Sequence, residues 1–276
     1  MGADQEKPDT IPADGLASKI DRYEYYQKAV QYPASDIEIF LDVYRKEYGS
    51  EPLVIREDFC GTALLSTTWV SDDPARRAIG VDFDQEPLEW GLEHNIKPAE
   101  GDVGERIELI QADVLELDGP SADIICAMNF SFNILDTREK LLKYFTAAGQ
   151  SVAGGGLFIL EMFGGTEAIV AGIEDREKEG FTYRWETEWF DPITNTARCH
   201  IGFLFPDGSG MERAFSYDWR LWSLPEVTDL LRDAGFGSWR IFWEEVDDDG
   251  AGTGEYRETT GEENQETWIV YIVAKV

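Results

Sequence analysis

The sequence predicts an α/β fold with a mostly parallel central sheet and helices on both faces. Between residues 53 and 160, short apolar segments alternate with amphipathic segments, which is typical of repeated strand–helix units. After residue 181 the pattern changes to aromatic-rich segments separated by turn residues, which predicts antiparallel strands. A content of 43% hydrophobic and 13% aromatic residues indicates a globular protein rather than a disordered one.

The N-terminal region predicts a tail followed by two helices. Residues 1–17 are polar and acidic without periodicity, which favours a disordered tail. From Lys19 to Tyr48, aromatic and aliphatic residues recur at helical spacing, and Pro33 divides the run into two helices. We expect residues 18–276 to form one domain, with residues 18–48 as a helical cover.

Five strands and three helices follow in alternation. The predicted strands are 53–55, 78–81, 107–110, 122–128 and 156–160, and the predicted helices are 63–70, 85–94 and 137–151. Each strand is a short apolar run, as expected where both faces of a parallel sheet are covered.

The second half of the chain predicts an inserted meander and then the end of the central sheet. Residues 181–222 contain three aromatic-rich segments separated by two turn-forming loops, and we expect them to form an antiparallel lid. A helix begins at Ser223 and ends at Gly235. Strands at 239–243 and 268–273 complete a seven-stranded sheet, and the acidic segment 244–266 between them is expected to be an exposed, mobile loop.

The net charge of -31, from 24 basic and 55 acidic residues, limits the possible partners. Nucleic acids and anionic membranes are bound chiefly through Lys and Arg, so neither is an expected partner. Two interpretations of the acidity remain open. Adaptation to high salt is favoured because the acids are spread along the whole chain, and attraction of a cationic substrate is the alternative.

The sequence also predicts a cytoplasmic protein without a bound metal. No apolar stretch is long enough to cross a bilayer, and the N-terminus has no apolar signal core. The three cysteines are widely spaced and form no C-x-x-C pair, which disfavours a disulfide framework or a zinc site.

Acidic residues follow the first three predicted strands. Glu57 and Asp58 come after the first, Asp82 comes after the second and Asp113 comes after the third. The carboxyl ends of parallel strands form the ligand edge of such sheets. There, a carboxylate after the second strand can accept both ribose hydroxyls of a nucleoside, and one after the third can accept from an adenine amino group.

These segments resemble a known family. EDFCGTA, AIGVDFDQEPLEWG and IQADV are similar to the first three motifs of the class I S-adenosylmethionine (SAM)-dependent methyltransferases. The NFSF turn, the GGGLFILE strand and the LPEVTDLLRDAGF helix fit the later part of the pattern, so the resemblance covers about residues 50–275. It implies a Rossmann-like class I methyltransferase fold, SAM as cofactor with S-adenosylhomocysteine as product, and a small-molecule acceptor.

The resemblance also implies roles for individual residues. Glu57, or alternatively Asp58, would lie near the methionine part of SAM, Asp82 at the ribose and Asp113 at the adenine. The full set of implied cofactor-binding residues is Glu57, Asp58, Cys60, Gly61, Thr62, Asp82, Phe83, Asp113, Val114 and Asn129.

The loop after the first strand departs from the family pattern, because Phe59 and Ala63 replace its first and last glycines. Since Phe does not readily adopt a positive φ, we expect the turn to differ locally.

The acceptor pocket is expected where the N-terminal helices, the fourth and fifth strand ends and the meander meet. Its candidates are Tyr23, Tyr26, Phe132, Glu161, Phe163, Trp185, Trp219, Arg220 and Trp222. The aromatic residues would form either a cage for a cation or the packed face of a small sheet, which is the commoner arrangement. Arg220 would either clamp an anionic group of the substrate or pair with a surface acid.

Two residues are candidates for catalysis. His200 is the only histidine of the meander, so it would act as a proton acceptor or be a hydrogen-bonded structural histidine. Asn129 begins an Asn-Phe-Ser-Phe turn that resembles the Asn-Pro-Pro-Tyr turn of amino-group methyltransferases, although both prolines are missing.

Two rival functions remain. An NAD-dependent oxidoreductase shares the acid at the strand end, but the loop lacks G-x-G-x-x-G and its two carboxylates would repel a pyrophosphate. A non-catalytic protein with the SAM fold is the other alternative. Oligomeric state is open, with the aromatic meander as a candidate surface for a homodimer.

Overall fold

A computed structural model of the chain describes residues 11–12, 15–117, 119–247 and 252–276. Its helices are α1 (Arg22–Val30), α2 (Pro33–Tyr48), α3 (Leu64–Asp72), α4 (Gln85–Gly91), α5 (Arg138–Ser151) and α6 (Leu224–Asp233). Its strands are β1 (Val54–Asp58), β2 (Arg77–Asp82), β3 (Ile107–Gln111), β4 (Ala122–Ala127), β5 (Val152–Gly164), β6 (Gly172–Lys178), β7 (Phe181–Asp191), β8 (Thr196–Leu204), β9 (Gly210–Arg220), β10 (Ser238–Val246), β11 (Gly252–Thr259) and β12 (Trp268–Lys275).

The central sheet confirms the predicted α/β fold. Its strand order is β11-β10-β12-β5-β4-β1-β2-β3, and β1 to β5 are paired in parallel. The order reverses between β1 and β4, and the last three strands pair antiparallel to their neighbours. The carboxyl ends of β1, β2, β3 and β4 therefore form one edge, where open sheets of this type bind ligands.

Helices cover both faces of the sheet. On one face α5 and α6 bury residues such as Tyr144 and Leu231, and on the other α2 and α3 bury Phe40 and Trp69. Each large side chain removed from water in this way contributes roughly 1.5–3 kcal/mol to folding. The two helices before β1, α1 and α2, confirm the two predicted N-terminal helices. Among the described residues, no helix is both long and apolar enough to cross a bilayer.

The predicted meander is a second, antiparallel sheet with the order β6-β7-β8-β9. It has four strands instead of three and begins at Gly172 rather than at residue 181. The sequence did not indicate β6 because nearly all of its residues are exposed, so it has no apolar alternation. The inner face of this sheet packs on α1 through residues such as Phe181, Phe203 and Tyr25.

The acidic segment 244–266 is not only a loop, because it contains β11. This strand raises the central sheet from seven strands to eight by pairing with β10 at the edge. Six of its eight residues, all except Tyr256 and Thr259, are exposed. The strand therefore has no apolar alternation that the sequence could show, since edge strands need not be apolar. Residues 248–251 of the predicted loop lie outside the described part of the chain.

Two further boundaries differ from the expectation. The helix predicted for 85–94 is α4 only to Gly91, after which a wider, π-type turn spans Leu92–Ile96.

The end of the predicted tail is fixed to the hairpin between β8 and β9. The backbone N–H of Leu16 donates to Asp207 at 2.8 Å and that of Ala17 donates to Ser209 at 3.0 Å. Residues 1–10 and 13–14 of that tail lie outside the described residues.

Candidate functional site

The loop after β1 keeps left-handed backbone at the positions where glycines were expected. Phe59, Gly61 and Ala63 have φ values of 59°, 52° and 53°. The expectation that Phe59 would prevent a positive φ is therefore wrong. The conformation costs roughly 1–2 kcal/mol for a residue with a Cβ. Packing offsets the cost, since the Phe59 ring lies 5.4 Å from that of Tyr144 and Ala63 is fully buried.

Asp82, the last residue of β2, holds this loop in place. Its carboxylate accepts hydrogen bonds from the backbone N–H of Gly61 at 2.7 Å and of Asp84 at 2.9 Å. Burial raises the pKa of Asp82, while these backbone hydrogen bonds oppose the rise. A Cβ placed on Gly61 would meet no atom within 4 Å, so the loop leaves open space beside the Asp82 carboxylate.

A cavity of about 530 Å³ lies at the ends of β2 and β3. Its lining comprises Phe83, Asp84, Gln85, Gln111, Ala112 and Asp113. Phe83 is 76% exposed, which is unusual for a Phe and leaves its ring free for a ligand. Asp113 accepts from the N–H of Leu115 at 2.9 Å, and Val114 is buried in the core beneath.

Glu57 and Asp58 have different surroundings. Glu57 accepts from the backbone N–H and the hydroxyl of Ser66, at 3.0 and 2.6 Å, and burial raises its pKa to about 7. Both oxygens of Asp58 are bound to buried groups, Arg56 and the hydroxyl of Tyr144. Both bonds from Ser66 reach the same oxygen of Glu57, whereas both oxygens of Asp58 are engaged.

The middle of the loop is tied to its surroundings. Cys60 is buried against Gly80, and burial raises the pKa of its thiol. The Thr62 hydroxyl accepts a hydrogen bond from the Gln27 side chain of α1 at 2.7 Å. This bond connects the N-terminal helical cover directly to the loop.

The turn after β4 is also left-handed. Asn129 and Phe130 have φ values of 51° and 59°, and the backbone N–H of Asn129 donates to Glu161 of β5 at 2.5 Å. Burial, followed by the negative charge of Asp36, raises the pKa of Glu161 to about 8. Two consecutive left-handed residues with side chains are uncommon and concentrate at functional sites.

Five rings from both sheets meet beside Glu161, and we call them the aromatic cluster: Phe130, Phe163, Trp185, Tyr217 and Trp219. Ring centroids of successive neighbours lie 4.6–6.4 Å apart. Burial, followed by the negative charge of Glu161, raises the pKa of Tyr26 of α1. The structure thus brings together the predicted Tyr26, Glu161, Phe163, Trp185 and Trp219.

Four other predicted pocket residues lie elsewhere. Phe132 and Trp222 are buried in the main core, where the Trp222 indole donates to the carbonyl of Leu135. Arg220 stacks on Trp222 and pairs with Glu226 at 3.1 Å. It therefore forms an ion pair with an acid of the protein, which is the alternative to a substrate clamp. Tyr23 lines a separate cavity of about 870 Å³ between α1, α4 and β9.

His200 is on the opposite face of the antiparallel sheet from the aromatic cluster. Its partners across the sheet are Glu186 and Ser216, whereas Trp185 and Tyr217 belong to the neighbouring pairs. Since adjacent strand residues point to opposite faces, the histidine lies on the face away from the aromatic cluster, where its side chain is buried. It hydrogen-bonds there to Ser216 at 2.7 Å and to Glu188 at 3.0 Å.

The sequence analysis missed Tyr217 and Asp36. Tyr217 is two residues before Trp219, so strand alternation would have placed both on one face. Asp36 lies on α2, where its carboxylate accepts from the Tyr271 hydroxyl at 2.6 Å and burial raises its pKa to about 6. No sequence pattern indicated it, because this contact joins residues far apart in the chain.

The fold is that of the class I methyltransferases. A SAM-dependent methyltransferase from Clostridium acetobutylicum superposes with a TM-score of 0.65 at 18% identity, over 95% of this chain and 100% of the other. An amino pentose methyltransferase from Micromonospora echinaspora, solved with SAM bound, gives 0.64 at 16% identity over 93% and 98%. A sugar N-methyltransferase from Streptoalloteichus gives 0.59 at 16% identity over 98% and 97%. No protein-family model and no curated protein matches the sequence.

Proposed function

We propose that the protein transfers a methyl group from SAM to a small-molecule acceptor. The observation that carries the proposal is the Asp82 carboxylate, bound to the Gly61 N–H beside an open cavity between strand ends. This is the place where a nucleoside fits in a parallel sheet whose strand order reverses nearby.

The side chains around the cavity fit SAM better than a dinucleotide. Asp82 would accept the ribose hydroxyls, and Phe83 and Asp113 would hold the adenine by stacking and hydrogen bonding. Glu57 would act on the methionine ammonium group. The cavity lining contains two acids and no basic residue, which suits the cationic SAM and disfavours a pyrophosphate.

The chemistry requires little from the protein beyond alignment. When bound, SAM supplies an electrophilic methyl group on a positively charged sulfur. The chain's own contribution is to hold the donor on the rigid loops after β1 and β2, to bring the acceptor against the aromatic cluster and to exclude water there.

Structural neighbours named as sugar and amino pentose methyltransferases support a small-molecule acceptor for this chain. A nucleic acid acceptor is disfavoured by the net charge of -31. A cytoplasmic location, a single domain over 18–276 and a homodimer stay predictions.

Calorimetric titration with SAM, S-adenosylhomocysteine and NAD tests the proposal. We expect both SAM and its demethylated product to bind, and NAD not to bind. Preferential binding of NAD would support the oxidoreductase instead. Binding of SAM without methyl uptake by any compound in a broad screen of amines, acids and thiols would support a non-catalytic protein.

A further inference from the structure

We infer that the methyl acceptor is an amine whose nitrogen binds between the Glu161 carboxylate and the aromatic cluster. The inference rests on the proposed function and concerns the acceptor half of the same site. The charges and rings that meet beside the turn after β4 favour a nitrogen acceptor over an oxygen, sulfur or carbon acceptor.

The electrostatic surroundings of Glu161 favour a cation. The charged groups that act on it are Asp36 of α2 and Glu244 of β10, both acids. Tyr271 of β12 also faces it and donates its hydroxyl to Asp36. Mutually repelling carboxylates in a partly buried region are stabilised by a ligand that carries positive charge.

Among the described residues, the other charged and titratable groups around Glu161 include no basic side chain that forms an ion pair with it. Arg176 of β6 acts on Glu244 and pairs with Glu174, at 2.7 Å. The phenol of Tyr256, on β11, faces both Glu161 and Glu244, and that of Tyr26 faces Glu161 from α1. Neutral phenols do not neutralise a carboxylate, so an incoming ammonium group would supply the missing charge.

The rings provide the second half of a cation site. Phe163 lies two residues after Glu161 on β5, so both side chains point to the same face of the sheet. The Phe163 ring is 4.6 Å from Phe130, 6.0 Å from Trp219 and 6.4 Å from Trp185. Aromatic faces attract an ammonium group through the negative charge of the ring face, and the attraction is stronger when water is excluded. Carboxylate and rings together therefore recognise an amine and disfavour an anionic acceptor.

The position of Glu161 also suits the proton transfer that an amine requires. An ammonium group loses one proton to the Glu161 carboxylate, and the free electron pair on nitrogen then forms the new bond to the methyl carbon. The bond from that carbon to the SAM sulfur breaks, and sulfur keeps its electron pair. The methylated nitrogen carries the positive charge and can release one proton to solvent, and Glu161 returns the proton it accepted to solvent. A carboxyl whose pKa lies near neutrality exchanges a proton readily at physiological pH.

A matched pair of probes tests the site: choline and its uncharged isostere 3,3-dimethylbutan-1-ol. Each is titrated into the full-length protein saturated with S-adenosylhomocysteine, at pH 9 and constant ionic strength, with tryptophan fluorescence as the signal. We expect choline to bind at least ten-fold more tightly than the alcohol. Glu161→Gln is expected to lose this preference, whereas Glu188→Gln, which removes an acid from the outer face of the antiparallel sheet, is expected to keep it.

Equal binding of the two probes, or a Glu161→Gln variant that keeps the preference, would overturn the inference. If circular dichroism shows that Glu161→Gln is unfolded, Trp185→Leu replaces it, with an expected loss of at least three-fold in choline affinity and no change for the alcohol. The same titrations separate the two proposals. A protein that fails to bind S-adenosylhomocysteine refutes the proposed function, and one that binds it without preferring choline refutes only the amine.

Discussion

Glu57 and Asp58 are consecutive residues of β1 whose carboxylates lie on opposite faces of the central sheet. Glu57 bonds to Ser66 of α3, and Asp58 bonds to Tyr144 of α5. Strand alternation produces this separation, so two acids that look equivalent in the sequence have different environments. The acid that faces α5 is neutralised by Arg56, and the one that faces α3 pairs with no basic side chain in the described part of the chain.

Replacing Asp58 by Ala is expected to lower the free energy of unfolding by about 3–5 kcal/mol, because the buried Arg56 guanidinium would lose its counter-charge. Urea unfolding monitored by circular dichroism measures the loss. Tyr144→Phe, which removes one hydrogen bond to the same carboxylate, is expected to cost about 1 kcal/mol. A stable Asp58→Ala protein with weakened SAM binding would instead assign Asp58 to the cofactor.

Glu57 is expected to make stability fall as the pH rises. Its pKa is raised from 4.5 to about 7 in the folded protein, so the native state binds more protons than the unfolded state between these values. The free energy of unfolding then decreases with rising pH, at up to about 1.4 kcal/mol per pH unit for this one group. Urea unfolding of wild type and Glu57→Gln at pH 5 and pH 8 checks this. The variant should gain stability relative to wild type at pH 8 and not at pH 5, and an equal difference at both values would contradict the assignment.

Replacing Ala63 by Gly is expected to leave stability unchanged or to increase it by up to about 1 kcal/mol. Glycine adopts the left-handed conformation without strain, which offsets the loss of one buried methyl group. Ala127→Gly is the matched control, since Ala127 is equally buried in β4 without a positive φ. It should lose about 1 kcal/mol or more in thermal or urea unfolding. Similar losses in both variants would show that the strain at Ala63 is not significant.

The parts of the fold that follow short-range periodicity could be predicted from the sequence. Asp82 was located because an apolar run ends immediately before it, and α1 and α2 were separated by Pro33. The strands β6 and β11 were missed because their residues are mostly exposed, and only pairing with a neighbouring strand defines them.

The orientation of side chains required the tertiary structure. His200 and Trp185 both belong to the aromatic meander, yet the register of β7 with β8 places them on opposite faces. The contact between Asp36 and Tyr271 joins residues 235 positions apart, which no local pattern encodes. The backbone at Phe59 was mispredicted because intrinsic preference was weighed without the packing of its ring on Tyr144.

Calorimetric measurement of SAM affinity in Asp82→Asn, beside the exposed control Glu108→Gln on β3, tests the central claim most directly. Both variants remove one negative charge, but only the first alters the carboxylate beside the Gly61 loop. A hydrogen bond to a charged group is worth about 1.5–3 kcal/mol, so Asp82→Asn is expected to weaken SAM binding at least ten-fold while Glu108→Gln binds like wild type. Equal SAM affinity in Asp82→Asn, Glu108→Gln and wild type would contradict the account.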